Sequence, residues 1–452
     1  MVLLSALPVG MFAQPILTPL LTNGPAANRI TLVVLAEGYT INQTNTFLIN
    51  ATNAVSALLN TPPYSNYSNY FNAQAIFVAS TETGSDHPAN NVYRNTYFNS
   101  SYHSNDILIT IPPHSFDPVY ANGQGKVDSL LQMFGLTNAA MTILIVNDVA
   151  GGGSDGSGKV AIVSRIQSAL QYNLPHEAGH VLANLGDEYT TPNPGYPDSE
   201  EPNTTRETNR AAIKWKAWIA DETPVPTPPS YMSVVGLFEG AHYHSNGWYR
   251  PKFDCAMRSS GSPFCEVCAE ALVISFYERV HPIDAFLPAT TNLSVISTQE
   301  IAFSIATLQP GTASLQTQWR TNGVPLSGAT NLVFYLPVQA MSNGNHTVSV
   351  TVHDGTPLVR NDPSNRLSQT LTWTLDVSIP QLRLDNTQRQ SGGVFAFRVT
   401  GHAPAGVVIQ GSTNLLDWTR LATNALVGGQ LFYTNQNAGA LPYQFFRAST
   451  PP

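Results

Sequence analysis

The stretch Pro175–Tyr189, PHEAGHVLANLGDEY, constrains this chain more than any other. Its HEAGH core sets His176 and His180 four residues apart with Glu177 between them. On an α-helix positions i and i+4 share a face, so both imidazoles can reach one ion while Glu177 stands at its edge. Neutral imidazole suits Zn²⁺, and a catalytic zinc keeps one position open for a water that a neighbouring carboxylate deprotonates. The spacing predicts a helix that carries two metal ligands, His176 and His180, and one general base, Glu177. A third protein ligand is then required.

Helix geometry limits where that ligand lies. Asp187 is seven positions beyond His180, which in an unbroken helix is about 10 Å along the axis and out of bonding range. The helix must therefore stop first. Gly186 is the expected stop, because glycine takes the left-handed conformation that closes a helix and lets the chain turn Asp187 or Glu188 back toward the ion. Asn173 is the expected N-cap, and Pro175 in the first turn gives up only a donor that has no partner there.

Around this helix the chain reads as α/β. Arg29–Thr40 (RITLVVLAEGYT) is a continuous apolar run bounded by Gly38, as in a strand buried on both faces. A helix-like segment follows at Asn42–Leu59, then strands at Ala73–Ala79 and Met141–Asn147. Gly153–Lys159 matches the G-x-x-x-x-G-K spacing of a phosphate-binding loop, but Val160 stands where a hydroxyl should bind Mg²⁺. The glycines of Ala150–Val160 are read instead as a loop bordering the cleft. Asp86 and His87, in TETGSDHP, are read as solvated loop residues with a lesser claim to ligation. A short helix is expected at Arg210–Ala220 between proline-rich loops, and another from Glu270 to Val280. Cys255, Cys265 and Cys268, even with His242 and His244 nearby, form a weak zinc set without a fourth ligand, and a disulfide from Cys255 to Cys265 or Cys268 is expected.

The formal net charge is -8 and the 21 Lys and Arg residues are spread thinly, which argues against a nucleic-acid partner. Residues 1–13 hold an apolar run ending in small residues, read as the remnant of a signal peptide that lacks its basic start. No later apolar run is long enough to span a membrane. Scarce lysine with abundant Thr, Asn, Ser, Gly and Pro fits a secreted, β-rich protein. After Asp284 the pattern shifts to short alternating segments. Residues 288–378 read as an Ig-like β-sandwich with Trp319 in its core and Val348, Val350 and Val352 on one face. Residues 379–452 read as a second small all-β sandwich domain with Trp418 as core. Neither collects catalytic residue types, so both are expected to be spacers or modules that bind a surface glycan or protein.

Taken together, VVLAEGYT, the SDHP loop, the glycine loop after ILIVND, HEAGHVLANLGDEY, GLFEGAHYHSNGWYRPKFDCAM and FCEVC resemble the IgA-specific metalloendopeptidase family of zinc peptidases. The resemblance covers roughly residues 25–285. It implies a metzincin-like catalytic domain, at 14–287, in which His176, His180 and Asp187 bind zinc, Glu177 is the base and Met257 forms a methionine turn below the metal. Ala183 departs from the glycine such peptidases carry three residues after the second histidine, so the expected break moves to Gly186, and Glu188 is the reserve ligand. Tyr243 or Tyr249 is the candidate phenol for transition-state assistance. The implied function is a secreted zinc endopeptidase acting on a protein or peptide substrate. The alternative is a catalytically inactive peptidase-like protein that binds a surface glycan or protein.

Overall fold

The apolar runs become interior strands of one sheet. The computed structural model describes residues 14–103, 107–112, 123–155, 159–296, 300–338 and 341–451. The proposed leader at 1–13 and residues 156–158 of the glycine loop lie outside them. In chain order the elements are β1 (Ile16–Leu21), β2 (Ile30–Glu37), α1 (Thr44–Leu59), β3 (Phe71–Phe77), β4 (Ser101–Tyr102), β5 (Ile109–Thr110), α2 (Gly123–Met133), β6 (Met141–Val146), β7 (Gly153–Asp155) and β8 (Val160–Ser164). There follow α3 (Leu174–Ala183), the hairpin β9 (Phe238–Ala241) and β10 (His244–Arg250), and α4 (Glu266–Tyr277).

The main sheet has the order β1-β3-β2-β6-β8-β7. Its four inner strands are parallel, and β1 and β7 close the edges antiparallel. Parallel strands covered on both faces need apolar residues at nearly every position, and β2 is buried at all but Thr31. Alternate residues then feed opposite layers. Leu32, Val34 and Ala36 pack with α1, α3 and α4, whereas Val33 and Leu35 pack with Val127 and Leu130 of α2. The helix expected at Arg210–Ala220 is reduced to one 3-10 turn, Lys216–Trp218. There Ile213, Trp215 and Ile219 anchor a loop in the core instead of lining one helical face.

Glu37 ends β2 fully buried. Its carboxylate accepts from the Thr96 hydroxyl (2.5 Å) and from the amides of Phe98 (2.9 Å) and Ser100 (2.8 Å), which fixes the loop beyond the SDHP segment. Burial raises the pKa of this carboxyl and the three donors oppose the rise. Each oxygen faces at least one backbone N–H, so the amide of Glu37→Gln would set donor against donor in either orientation. We expect that variant to lose about 1–3 kcal/mol of stability, read as a lower urea midpoint.

The chain divides into two compact units, the first comprising 1–282, 308–315 and 354–368 and the second 283–307, 316–353 and 369–452. In the first unit Asp354 is buried among three tyrosines. Its Oδ2 accepts from Tyr67 and Tyr277, each at 2.8 Å, and the Tyr70 phenol lies 2.8 Å from that of Tyr277 and donates to the Leu308 carbonyl at 3.0 Å. The amide of Thr356 and the hydroxyl of Ser314 satisfy Oδ1.

The second unit is built of small, mostly antiparallel sheets. A three-stranded sheet (Ile283–Leu287, Glu300–Thr307, Val333–Pro337) and a five-stranded one that includes Gly344–Asp354 and Ser368–Ser378 meet through Phe303, Trp319, Phe334 and Trp373. Val348, Val350 and Val352 are fully buried, as their alternation predicts. Beyond residue 379, two three-stranded sheets enclose Phe397, Val399, Ala403, Val407 and Ile409. Trp418 is not in that core. It lies half-buried under the Arg447 guanidinium, 4.2 Å from the ring centroid, because its segment turns at the surface and the interior is filled by the alternating residues of the neighbouring strands.

Candidate metal centre

Helix α3 grows out of a π-helical turn, Ala169–Asn173, so Asn173 has helical angles and no capping bond. The expected N-cap is absent because the helix does not begin there. Its end also differs from expectation. Asn184, not Gly186, takes the left-handed conformation (φ 51°), and the amides of Asn184 and Leu185 return to the carbonyls of His180 and Gly179. Asparagine is the residue after glycine that best tolerates this geometry. Gly186 is needed for space instead, since a β-carbon there would fall 2.5 Å from a carboxylate oxygen of Glu201. We expect Asn184→Val to cost about 1–3 kcal/mol and Asn184→Gly almost nothing, compared by thermal unfolding.

The early stop brings the chain back. The Nε2 atoms of His176 and His180 lie 3.1 Å apart, and Asp187 Oδ1 lies 3.1 Å from the first and 3.5 Å from the second. Both Nδ1 atoms are committed elsewhere, that of His176 to the Ala256 carbonyl (2.9 Å) and that of His180 to the Leu185 carbonyl (2.6 Å). A nitrogen facing a carbonyl must carry its proton, so in the neutral rings both Nε2 lone pairs and a carboxylate oxygen point at one spot. Three acceptors in contact repel unless a cation sits among them. Tetrahedral zinc with bonds of about 2.0–2.1 Å holds its ligands about 3.3–3.4 Å apart, close to the separations found. Burial lowers the His176 pKa, but Asp187 raises it further so that the net shift is upward, while the two histidines overcome burial to hold the Asp187 carboxyl well below its usual range.

Side chains around the spot hold this geometry. The Tyr243 phenol donates to Asp187 Oδ2 at 2.5 Å, and the amide of His242 donates to the Asp187 carbonyl at 2.9 Å. Tyr243 and His242 both have positive φ in the tight turn between β9 and β10, which aims the phenol inward. Tyr243, one of the two phenols with Tyr249 read as candidates for transition-state assistance, touches the acidic ligand candidate. The Tyr189 ring stacks on that of His176 at 5.9 Å. Met257 is fully buried, and its sulfur lies 3.1 Å from where a β-carbon on Gly179 would be. Glu177 is 7% exposed, and one carboxylate oxygen lies 3.4 Å from the β-carbon position of Gly153 on the edge strand β7. The glycine stretch therefore does border this carboxylate, as a strand rather than a loose loop.

The other candidates lie elsewhere. Glu188 is fully buried and belongs to a second group, with Cys255, Cys265 and Cys268, not to the histidines. No disulfide forms, since all three cysteines are free. The sulfurs of Cys255 and Cys268 are 3.6 Å apart. This corrects the expected pairing, and the reason is that three sulfurs and a carboxylate converge where two sulfurs were foreseen. His87 pairs with Asp148 at 3.1 Å and so ties its loop to the segment after β6, whereas Asp86 accepts from the Arg94 amide at 2.5 Å within its own loop. His242 is held between Glu201 and the Pro197 carbonyl.

The model of the family IgA Peptidase M64 matches residues 18–233 and 228–276, more than half of the 452 residues. No curated protein matches the chain. Likeness to solved structures is weak. Dimeric latent PorU from Porphyromonas gingivalis aligns at 12% identity over 37% of this chain and 18% of that one, with a TM-score of 0.15. Beta-glucuronidase 3 of Bacteroides uniformis aligns at 10% identity over 46% and 29%, with a TM-score of 0.14. A chaperone–tip adhesin complex of CFA/I fimbriae biogenesis aligns at 12% identity over 37% and 92%, also at 0.14. The chain spans less than a third of the length of the first two.

Proposed function

The chain belongs to the IgA Peptidase M64 family, and on that premise we propose that it is a secreted zinc-dependent endopeptidase acting on a protein or peptide substrate. One observation carries the reading: two imidazole nitrogens and one carboxylate oxygen, all acceptors, meet within 3.5 Å of one another. In this reading His176, His180 and Asp187 hold the metal, and Glu177 is the general base. Bound there, zinc supplies a Lewis acid that polarises the scissile carbonyl and acidifies water. Glu177 takes the proton of the attacking water and returns it to the leaving amine. Ala256 and Leu185 fix the imidazole tautomers through their carbonyls, and Tyr243 fixes the carboxylate, as partners of metal ligands generally do. The buried turn at Ala256–Met257 is the natural counterpart of a metzincin methionine turn, with Asn184 doing what glycine does in those enzymes. The β modules of the second unit, Ig-like in this reading, are binding or spacing elements for a surface glycan or protein. Among the described residues no helix is long and apolar enough to cross a membrane.

The family name refers to immunoglobulin A, and the proposal here extends only to peptide bonds as a class. The test is metal analysis of the purified chain together with digestion of unfolded casein, before and after chelation and after zinc is restored. Expected are bound zinc, loss of cleavage on chelation and its recovery with zinc. Cleavage that ignores chelation, or a zinc-bound chain that never cuts, overturns the reading, and the second result would favour the binding-protein alternative.

A further inference from the structure

The cysteine cluster lies just beyond the histidine site and is not used by the chemistry above. Cys255, Cys265, Cys268 and Glu188 each offer one atom to a group whose members all lie within 4.8 Å of one another, and all four residues are buried. Two of the contacts are 3.6 Å, between the sulfurs of Cys255 and Cys268, and 3.7 Å, from Cys268 sulfur to Glu188 Oε1. Tetrahedral zinc with about 2.3 Å bonds to sulfur and 2.0–2.2 Å to oxygen sets such edges at about 3.6–3.8 Å. A disulfide would need sulfurs about 2.05 Å apart.

Two further observations point to a cation. Glu188 Oε2 is buried with no hydrogen-bond partner, while Oε1 takes the Asn203 amide at 3.0 Å. A carboxylate stripped of water on one oxygen is costly to keep unless something positive meets it. Cys265 caps α4, so that Cys265 and Cys268 form a C-x-x-C pair at a helix N-terminus, where the dipole favours thiolates. The Cys265 amide also donates to the Cys255 sulfur at 3.2 Å. Arg258 donates to the Glu188 carbonyl at 3.2 Å, and Arg250 acts on the Glu188 carboxylate electrostatically, so two guanidinium groups offset the negative charge that three thiolates and a carboxylate would leave around a divalent ion.

We propose that Cys255, Cys265, Cys268 and Glu188 form a second, structural Zn²⁺ site, closed to solvent and distinct from the histidine centre. Binding releases the thiol protons and leaves the cysteines unoxidised. The site ties three pieces of chain together. Glu188 follows Asp187, and its amide donates to the Met257 carbonyl at 2.9 Å. Cys255 precedes Ala256, whose carbonyl orients His176, and the other two cysteines root the turn in α4. The second ion thus locks the loop that presents Asp187 against the turn beneath the imidazoles.

The test is metal stoichiometry with a thiolate-specific readout on the full chain purified under reducing conditions. The wild type should carry two zinc ions per chain, and His180→Ala should keep one. Loaded with Co²⁺ in place of zinc, both should show the near-ultraviolet thiolate-to-cobalt charge-transfer band, which nitrogen and oxygen ligands do not give. Cys268→Ser, left with two of the three thiolates, should show that band clearly weakened, and should that variant not fold, the band in the wild type decides alone. A His180→Ala chain without metal, a cobalt-loaded wild type without the band, or an intact mass showing a Cys255–Cys268 disulfide each overturns the proposal. Failure of the histidine-site reading looks different: one ion per chain in the wild type, still present after His180→Ala and still giving the band.

Discussion

Glu177→Gln is expected to lower kcat/KM for a protein substrate by ~10²–10⁴-fold, the range a general acid–base group contributes, while zinc content and thermal unfolding stay at wild-type values. Glutamine keeps the size of the side chain and removes its proton-accepting oxygen. Glu177 is not one of the three residues whose atoms converge on the metal position, so the ion should remain. It is 7% exposed beside the β-carbon position of Gly153, a place largely shielded from bulk solvent. Activity within a few-fold of wild type would remove Glu177 from the mechanism. Loss of zinc together with activity would move it to the ligand set.

Asp187→Ala should have the larger effect on the metal. Losing a second-sphere partner typically weakens metal affinity ~10–100-fold, and a direct ligand should cost more, so the variant should give up zinc on dialysis that the wild type survives. It also leaves the Tyr243 phenol without its 2.5 Å acceptor. The metal-free chain has a separate signature. The His176 pKa is raised above its ordinary 6.5, so its contribution is complete below 6.5 and lost as pH rises through the folded value. The Asp187 pKa is depressed below its ordinary 3.8, so its contribution is complete above 3.8 and lost as pH falls through the folded value. Urea midpoints of the chelated wild type should therefore be highest between those limits, and Asp187→Ala should flatten the profile. An unchanged profile with zinc retained would sink the assignment.

The sequence made much of this legible, and unevenly. The strands at Ile30–Glu37, Phe71–Phe77 and Met141–Val146 could be read because a sheet covered on both faces forces continuous apolar runs. The i, i+4 histidines could be read because helix periodicity is rigid. The sequence points to Gly186 as the helix end because left-handed asparagine leaves a weaker mark than glycine, whereas Gly186 keeps room for Glu201. Nothing local tells Asp187 from Glu188. Their opposite directions follow from where the 255–268 segment packs, about 70 residues later in the chain, as the 2.9 Å bond from the Glu188 amide to Met257 shows. The role of Glu188 beside the cysteines is hidden for the same reason, and Trp418 reads as core because a lone tryptophan gives no periodicity to betray a surface turn.

The tyrosine knot around Asp354 bears on how the catalytic half can be handled. Its acceptors, Asp354 and the Leu308 carbonyl, are encoded well downstream of the last helix of the α/β region. A gene fragment ending near codon 287 would therefore take the carboxylate from Tyr67 and Tyr277 and the carbonyl from Tyr70, leaving the last two phenols only each other in a dry interior. The enzymatic portion is not a detachable cassette, and transplanting it onto another scaffold would require carrying both downstream segments along.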